Sequence, residues 1–203
     1  MKILIAVPTY ENIEPATFKS IYDLDPCGHE IDFESVTGYA VDIARNRIVD
    51  MALERGYDYV LMVDSDMVLP HDAIYNLTNP LTDICSGVCP RRGTTTGRSE
   101  LYKLGCRYLN EESNINYALV DRLVDIQNYR IEIGVAGGAC MLINTDVFRN
   151  IEYPWFKFEL FPNRGYTSED VHFCGLVHHT QKYKIYADMR VQCGHINKVT
   201  QYR

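Results

Sequence analysis

Two carboxylates two residues apart interrupt an apolar run in Val60-Leu61-Met62-Val63-Asp64-Ser65-Asp66-Met67-Val68-Leu69. A β-branched apolar run of this length predicts a strand buried on both faces, ending where the acidic residues begin. Ligands of open α/β sheets bind outside the C-terminal edge of such strands, and paired carboxylates there repel each other unless a cation intervenes. Asp64 and Asp66 are therefore candidate ligands of Mg²⁺ or Mn²⁺, hard ions that take oxygen donors and share them with substrate phosphates. A strand running into an acidic turn or helix cap gives the same Asp-x-Asp spacing without that function. A second acidic signal, Thr167-Ser168-Glu169-Asp170, opens a helical run in which Val171, Cys174, Leu176 and Val177 make an apolar face. The helix dipole favours a first-turn carboxylate by roughly 0.3–1 kcal/mol, so Glu169 and Asp170 have a structural explanation beside a catalytic one. Farther on, Cys193-Gly194-His195-Ile196 offers an imidazole, usually a surface or core filler but also a common metal ligand.

The elements that must position these residues follow from periodicity and breakers. Ile3 to Val7 reads as a buried strand ended by Pro8-Thr9-Tyr10-Glu11-Asn12. Glu14 to Tyr22 reads as a helix with Pro15 in its first turn, and Asp25-Pro26-Cys27-Gly28 turns the chain into a strand over His29 to Thr37. From Ala40 to Glu54, Val41, Ala44, Ile48, Met51 and Ala52 recur at helical spacing, with Gly56 as the stop. Strand, helix, strand, helix, strand with short connections predicts a parallel sheet with right-handed crossovers. Beyond Asp66, Pro70-His71-Asp72-Ala73-Ile74 suits a helix start and Ile84 to Val88 a strand. Pro90 to Arg98 is polar, Gly-rich and basic, which suits either a mobile loop beside an anionic ligand or a solvated hairpin. Tyr108 to Ile115 is loop-like, and Tyr117 to Ile126 fits helix or strand. Ile131 to Val135 and Ala139 to Asn144 read as strands around Gly137-Gly138, a pair that marks a bulge or close approach by a ligand. Tyr153-Pro154-Trp155-Phe156-Lys157-Phe158 is suited both to stacking on sugar rings and to filling a core.

A chain of 203 residues supports one substantial core, and residues 1–203 read as a single domain. Its 46% hydrophobic content is ordinary for a globular protein, and a net charge of −7 argues against a nucleic-acid or anionic membrane partner. Seven cysteines show no regular spacing, Cys85 and Cys89 make a weak zinc signal at most, and a reduced cytosolic setting follows. The apolar run after Met1 is too short for a secretory signal, and nothing approaches the roughly 18 residues of a transmembrane segment. The sequon Asn76-Leu77-Thr78 is then expected to be accidental.

In their order these residues resemble the GT-A fold glycosyltransferases, close in pattern to the family 2-like members. Pro8-Thr9-Tyr10-Glu11 closes the first strand, Ala44-Arg45-Asn46 lies on a helix, and Asp64-Ser65-Asp66 matches the DxD motif. Gly137-Gly138 precedes the Leu142-Ile143 strand, Ser168-Glu169-Asp170 matches xED, and His195 matches the C-terminal histidine. The ordered set covers residues 2–198. The resemblance implies an α/β GT-A fold: a mostly parallel central sheet flanked by helices, with a small antiparallel sheet on the acceptor side. It further implies a nucleotide-binding half over residues 1–90 and an acceptor and catalytic half over 91–203. A nucleotide-diphosphate sugar, UDP being the commonest donor, would lie across the sheet edge against Pro8, Thr9, Tyr10, Glu11, Arg45, Asp64, Ser65, Gly137 and Gly138. Asp64, Asp66 and His195 would hold Mn²⁺ or Mg²⁺. Asp170, or else Glu169, would be the base in an inverting transfer to a carbohydrate or glycosylated acceptor, with Lys198 or Arg91 and Arg92 assisting. The chain is short for the family and lacks its C-terminal helices, which leaves the acceptor thinly specified. A cytoplasmic enzyme is expected, of a bacterial polysaccharide pathway or of a virus or phage acting in the host cytoplasm. Two other classes fit part of the pattern. A haloacid dehalogenase-like phosphatase would use Asp64 as nucleophile and Asp66 as acid/base. A non-catalytic nucleotide-sugar-binding module would need no Asp170.

Overall fold

The computed structural model of the chain describes residues 1–90, 101–104, 117–119, 129–161 and 165–196. In chain order the elements are β1 (Lys2–Thr9), α1 (Pro15–Tyr22), β2 (Glu30–Thr37), α2 (Val41–Glu54), β3 (Tyr59–Val63), β4 (Met67–Val68), α3 (Ala73–Thr78) and β5 (Ile84–Val88). They continue with β6 (Leu101–Leu104), β7 (Tyr117–Leu119), β8 (Arg130–Ile133), β9 (Val135–Ala136), β10 (Cys140–Asn144), α4 (Thr145–Arg149), β11 (Glu159–Phe161) and β12 (Gly165–Thr167). The last are α5 (Glu169–Thr180), β13 (Ile185–Gln192) and β14 (Gly194–His195).

Seven strands form the central sheet in the order β2-β1-β3-β10-β5-β13-β8. β2, β1, β3, β5 and β13 point one way, and β10 and β8 run against them. This is the mostly parallel α/β sheet the sequence implies. The period-two alternation of each strand sorts its side chains between two cores. On one face Ile3, Ile5, Val7, Leu61 and Val63 pack with Ile21 of α1 and with Ala73, Ile74 and Leu77 of α3. On the other, Leu4, Ala6, Val60 and Met62 pack with Ile48, Val49 and Ala52 of α2, Phe148 of α4 and Phe173 and Val177 of α5. Helices cover both faces, which is why the central strands read as continuous apolar runs rather than alternating ones. A small antiparallel sheet, in the order β7-β6-β9, stands beside the main one. Among the described residues no helix is long and apolar enough to cross a membrane.

Part of the aromatic segment fills the core. Phe156 stacks on Phe173 with ring centroids 4.9 Å apart, and Phe148 lies 5.7 Å from Trp155 and 5.6 Å from Phe173. The Trp155 indole N–H donates to the Phe148 carbonyl at 3.0 Å, so its polar edge is satisfied inside the core. Tyr153 and Phe158 remain exposed.

The elements predicted through Val88 appear within a residue or two of their expected limits, except that α3 begins at Ala73 and leaves Pro70 ahead of the helix. As expected, the strand in the run over 60–69 ends where the acidic residues begin, and the chain turns at Asp64 to Asp66 before the short β4 pairs with β14. The glycine pair lies in the turn between β9 and β10 rather than inside a strand. Tyr117 begins a strand. Residues 91–98, 108–115, 120–126 and 198, on which other expectations fall, lie outside the described residues. Asn76 is buried, which leaves its sequon inaccessible. The six described cysteines are unbridged, and burial pushes the thiols of Cys85 and Cys174 up to about 12.

The sequence pattern misses β13 because Asp188 and Arg190 interrupt its apolar residues. Both charges are structural. Asp188 is fully buried and takes Arg130 at 3.0 Å and Arg190 at 2.7 Å, while the two guanidinium groups also bond carbonyl oxygens at the end of α3. Burial alone would raise the Asp188 carboxyl; the hydrogen bonds from Arg190 and Arg130 outweigh it and hold the group below its ordinary value. A depressed carboxyl stabilises the fold above its unfolded pKa of about 3.9, and that contribution disappears as pH falls through the lower folded value. Asp188→Ala is expected to cost about 3–5 kcal/mol in urea unfolding at pH 7, since it leaves the Arg130 and Arg190 guanidinium groups without their buried counter-charge. The stability difference between wild type and Asp188→Asn should narrow on acidification below about pH 4.

Candidate active site

At the end of β3 the chain makes a tight turn. The Met67 N–H donates to the Asp64 carbonyl at 3.1 Å, the Glu14 N–H to that of Ser65 at 2.9 Å, and the Ile196 N–H to that of Asp66 at 2.9 Å. Backbone on three sides therefore fixes the acidic turn before any ligand arrives. An open cleft of about 290 Å³ lies against it, lined by Pro8, Thr9 and Tyr10 at the end of β1, Tyr39, Ala40 and Val41 at the start of α2, and Asp64, Ser65 and Asp66. All three segments lie at C-terminal ends of parallel strands, the crevice where ligands of open α/β sheets bind. Tyr10 is 73% exposed, whereas Thr9 is buried with its hydroxyl donating to the Asn12 carbonyl at 2.8 Å. Ala40 and Val41 read in the sequence only as a helix start, and Tyr39 to Val41 carry no motif of a site. Their signal is Gly38, which leaves β2 at φ +81 and donates to the carbonyls of Thr9 and Tyr10, tying the two strand ends together. The Arg47 guanidinium sits 4.1 Å from the Tyr39 ring and steadies it. Ala40 caps α2 without a side-chain hydrogen bond, so the positive end of that helix opens toward the cleft.

Arg45 lies beneath the cleft floor, not in its lining. It is 2% exposed, and its Nη2 donates to Asp64 Oδ1 at 2.7 Å. Nη1 stands 3.1 Å from Glu169 Oε1, within ion-pairing reach but without hydrogen-bond alignment. Burial by itself would weaken the guanidinium's hold on its proton, but Asp64, Glu169 and Asp170 together push it above its ordinary value. Glu169, 6% exposed, is raised by burial against the pull of Arg45. Asp64 keeps 35% of its side chain exposed, so one carboxylate meets both the cleft and the buried cation.

Gly137 and Gly138 do not line the cleft either. The close approach they mark is made by protein: a Cβ on Gly138 would lie 1.6 Å from Arg45 Nη1. The Gly138 N–H donates to Asp170 Oδ2 at 3.2 Å, and the Ser168 hydroxyl and the Val171 N–H bond the other oxygen. Asp170 is thus oriented through both oxygens while staying only partly buried. Glu11 is exposed and outside the lining.

His195 reaches Asp66 through the β4–β14 pairing, with Nε2 3.4 Å from Asp66 Oδ2. Its Nδ1 is 2.8 Å from the Pro90 carbonyl, which assigns the proton to Nδ1 in the neutral ring and turns the Nε2 lone pair toward Asp66. An imidazole oriented by a backbone carbonyl beside a carboxylate is a donor set that fits a divalent cation, for which adjacent ligands stand about 3 Å apart. Among the described residues no three His, Cys, Asp or Glu side chains converge as a metal cluster, and Asp64 is drawn toward Arg45 instead.

The sheet, its helical layers and a cleft at the strand ends define an α/β protein of GT-A-like fold. Among solved structures, the crystal structure of A197 from STIV is similar over 98% of this chain and 87% of that one, at 19% identity and a TM-score of 0.60, a likeness of fold. S. aureus TarS 1-349 matches at 15% identity and a TM-score of 0.47 over 93% of this chain, which spans 60% of its length. CMP:2-keto-3-deoxy-manno-octonic acid synthetase complexed with CTP matches at 13% and 0.45, over 93% of this chain and 90% of that one. No protein-family model matches the chain, and no curated protein does.

Next to Arg45, Asn46 clamps the aromatic segment: its amide donates to the Phe156 carbonyl at 2.7 Å and accepts from the Phe156 N–H at 3.2 Å. Asn46→Leu would leave both backbone groups buried without partners. A loss of about 1–3 kcal/mol for each is expected, read as a lowered urea midpoint.

Proposed function

We propose that the chain is a metal-dependent glycosyltransferase that moves a sugar from a nucleotide-diphosphate donor to a hydroxyl acceptor with inversion at the anomeric carbon. The observation that carries this reading is the meeting of two acidic motifs at one sheet edge. Asp64 and Asp66 border a cleft, and Asp170 is held across Arg45 from Asp64. The exposed ring of Tyr10 and the steadied ring of Tyr39 suit a nucleoside, and the open end of α2 suits its diphosphate. UDP is the first donor base to test. A Mn²⁺ or Mg²⁺ ion held by Asp66 and His195, with Asp64 beside them, would neutralise charge on the departing diphosphate.

Asp170 is the base in this scheme and Glu169 is not. Glu169 is buried against Arg45, out of reach of an acceptor, whereas Asp170 is oriented by backbone and hydroxyl donors and keeps access. As the acceptor oxygen bonds to the anomeric carbon and the bond to the diphosphate breaks, Asp170 takes the hydroxyl proton. The engagement of Asp64 Oδ1 with Arg45 at 2.7 Å disfavours its use as a phosphatase nucleophile.

Calorimetric titration with UDP, GDP and their common sugar conjugates, with Mn²⁺ and then with chelator, tests the donor half. Metal-dependent binding of one nucleotide, lost in Asp66→Ala, is the expected result; no binding together with hydrolysis of a generic phosphate ester would replace it with the phosphatase reading. For the acceptor half, Asp170→Asn should keep donor binding while turnover falls at least about 10²-fold. Unchanged turnover would remove Asp170 as the base.

A further inference from the structure

We infer that Arg45 is the positioning residue of this site, one buried guanidinium that sets the spacing between the donor-side carboxylate Asp64 and the acceptor-side pair Glu169-Asp170. The inference rests on the transferase reading above. Arg45 comes from the middle of α2, Asp64 from the turn after β3, and Glu169 from the first residue of α5. The Gly138-Ala139 turn also stands between them, its Ala139 carbonyl accepting from the Asp64 N–H at 3.1 Å and its Gly138 N–H donating to Asp170 at 3.2 Å, but Arg45 is the group that meets a side-chain carboxylate on both sides. Its Nη2 takes Asp64 at 2.7 Å and its Nη1 faces Glu169 at 3.1 Å. A planar group with fixed nitrogens spaces two carboxylates in a way a single ammonium does not.

The surroundings are shaped to hold that group still. Gly138 leaves the space the guanidinium fills, since a Cβ there would fall 2.4 Å from Cζ as well as 1.6 Å from Nη1. The same Gly138 offers its N–H to Asp170 at 3.2 Å, so one residue touches both the cation and the proposed base. On another side the Phe156 ring lies 5.9 Å from Arg45 Cζ, stacked on Phe173 of α5 and clamped by Asn46. Arg45 does not line the cleft. It acts through Asp64 and through the residue chain Glu169-Asp170.

Such a role predicts a selective kinetic defect. Arg45→Lys keeps the charge and loses the fork. It should bind the Mn²⁺-nucleotide within about threefold of wild type, keep KM, and lose kcat by about 10²-fold, the scale expected when reacting groups are misplaced by an ångström. Gly138→Ala alters no charge and retains the N–H that Asp170 accepts, yet displaces the guanidinium, so it should show the same kcat-selective loss. It also stands in if Arg45→Lys fails to fold, as judged by thermal unfolding. The decisive comparison is the double variant Arg45→Lys with Asp170→Asn. If Arg45 works through Asp170, adding Arg45→Lys to Asp170→Asn should lower kcat by less than about threefold. Full additivity, or folded single variants with wild-type kcat, would overturn the positioning role while leaving the transferase reading intact. Absence of transfer by the wild-type protein would remove both.

Discussion

A guanidinium in the interior with carboxylates from distant segments around it is the constraint on which the rest of this site depends. Desolvating a charge costs several kcal/mol, which only close, well-placed counter-charges offset. Arg45 meets that requirement with Asp64 and Glu169, and the three cannot separate without leaving a buried charge alone. The turn after β3, the start of α5 and the Gly-Gly turn before β10 are therefore fixed relative to α2 by electrostatics as well as packing. An apolar core at this place would serve stability equally well. What the ionic arrangement adds is a defined distance between two acidic motifs that belong to different parts of the chain.

The fold contains a second buried ionic cluster, and the contrast is informative. Asp188 with Arg130 and Arg190 ties β13 and β8 to the end of α3, away from the cleft, and its cations also bond backbone carbonyls. It locks a strand into the sheet and presents nothing to the cleft. The Arg45 cluster leaves Asp64 partly exposed at the cleft and sets the partly buried Asp170 beside it. Similar chemistry is remote from the cleft in one place and borders it in the other because of where the strand ends fall.

Much of this was legible in the residues. The apolar run broken by Asp64 and Asp66 placed those carboxylates at a strand end, and Pro8 to Tyr10 at another; the cleft joins the two. The N-terminal alternation of strand and helix was readable because each element carries its own period and its own stop, such as Gly56. Where charged residues interrupt a strand, as in β13, periodicity fails, because the compensating partner Arg130 is 58 residues away in sequence. Gly137-Gly138 was recognised as a site of close approach, but which group approaches is decided by α2, far off in the chain.

The local elements and the strand-end position of the acidic turn follow from the residues alone. These depend on side-chain period, backbone conformational preference and functional-group type, all carried by neighbouring residues. That β10 inserts antiparallel between β3 and β5, that Trp155 and Phe156 fill the core while Tyr153 does not, and that Arg45 lies outside the cleft lining emerge only in the assembled fold. Those outcomes depend on contacts between segments far apart in sequence. Their free energies come from burial and charge pairing that exist only after the sheet has assembled.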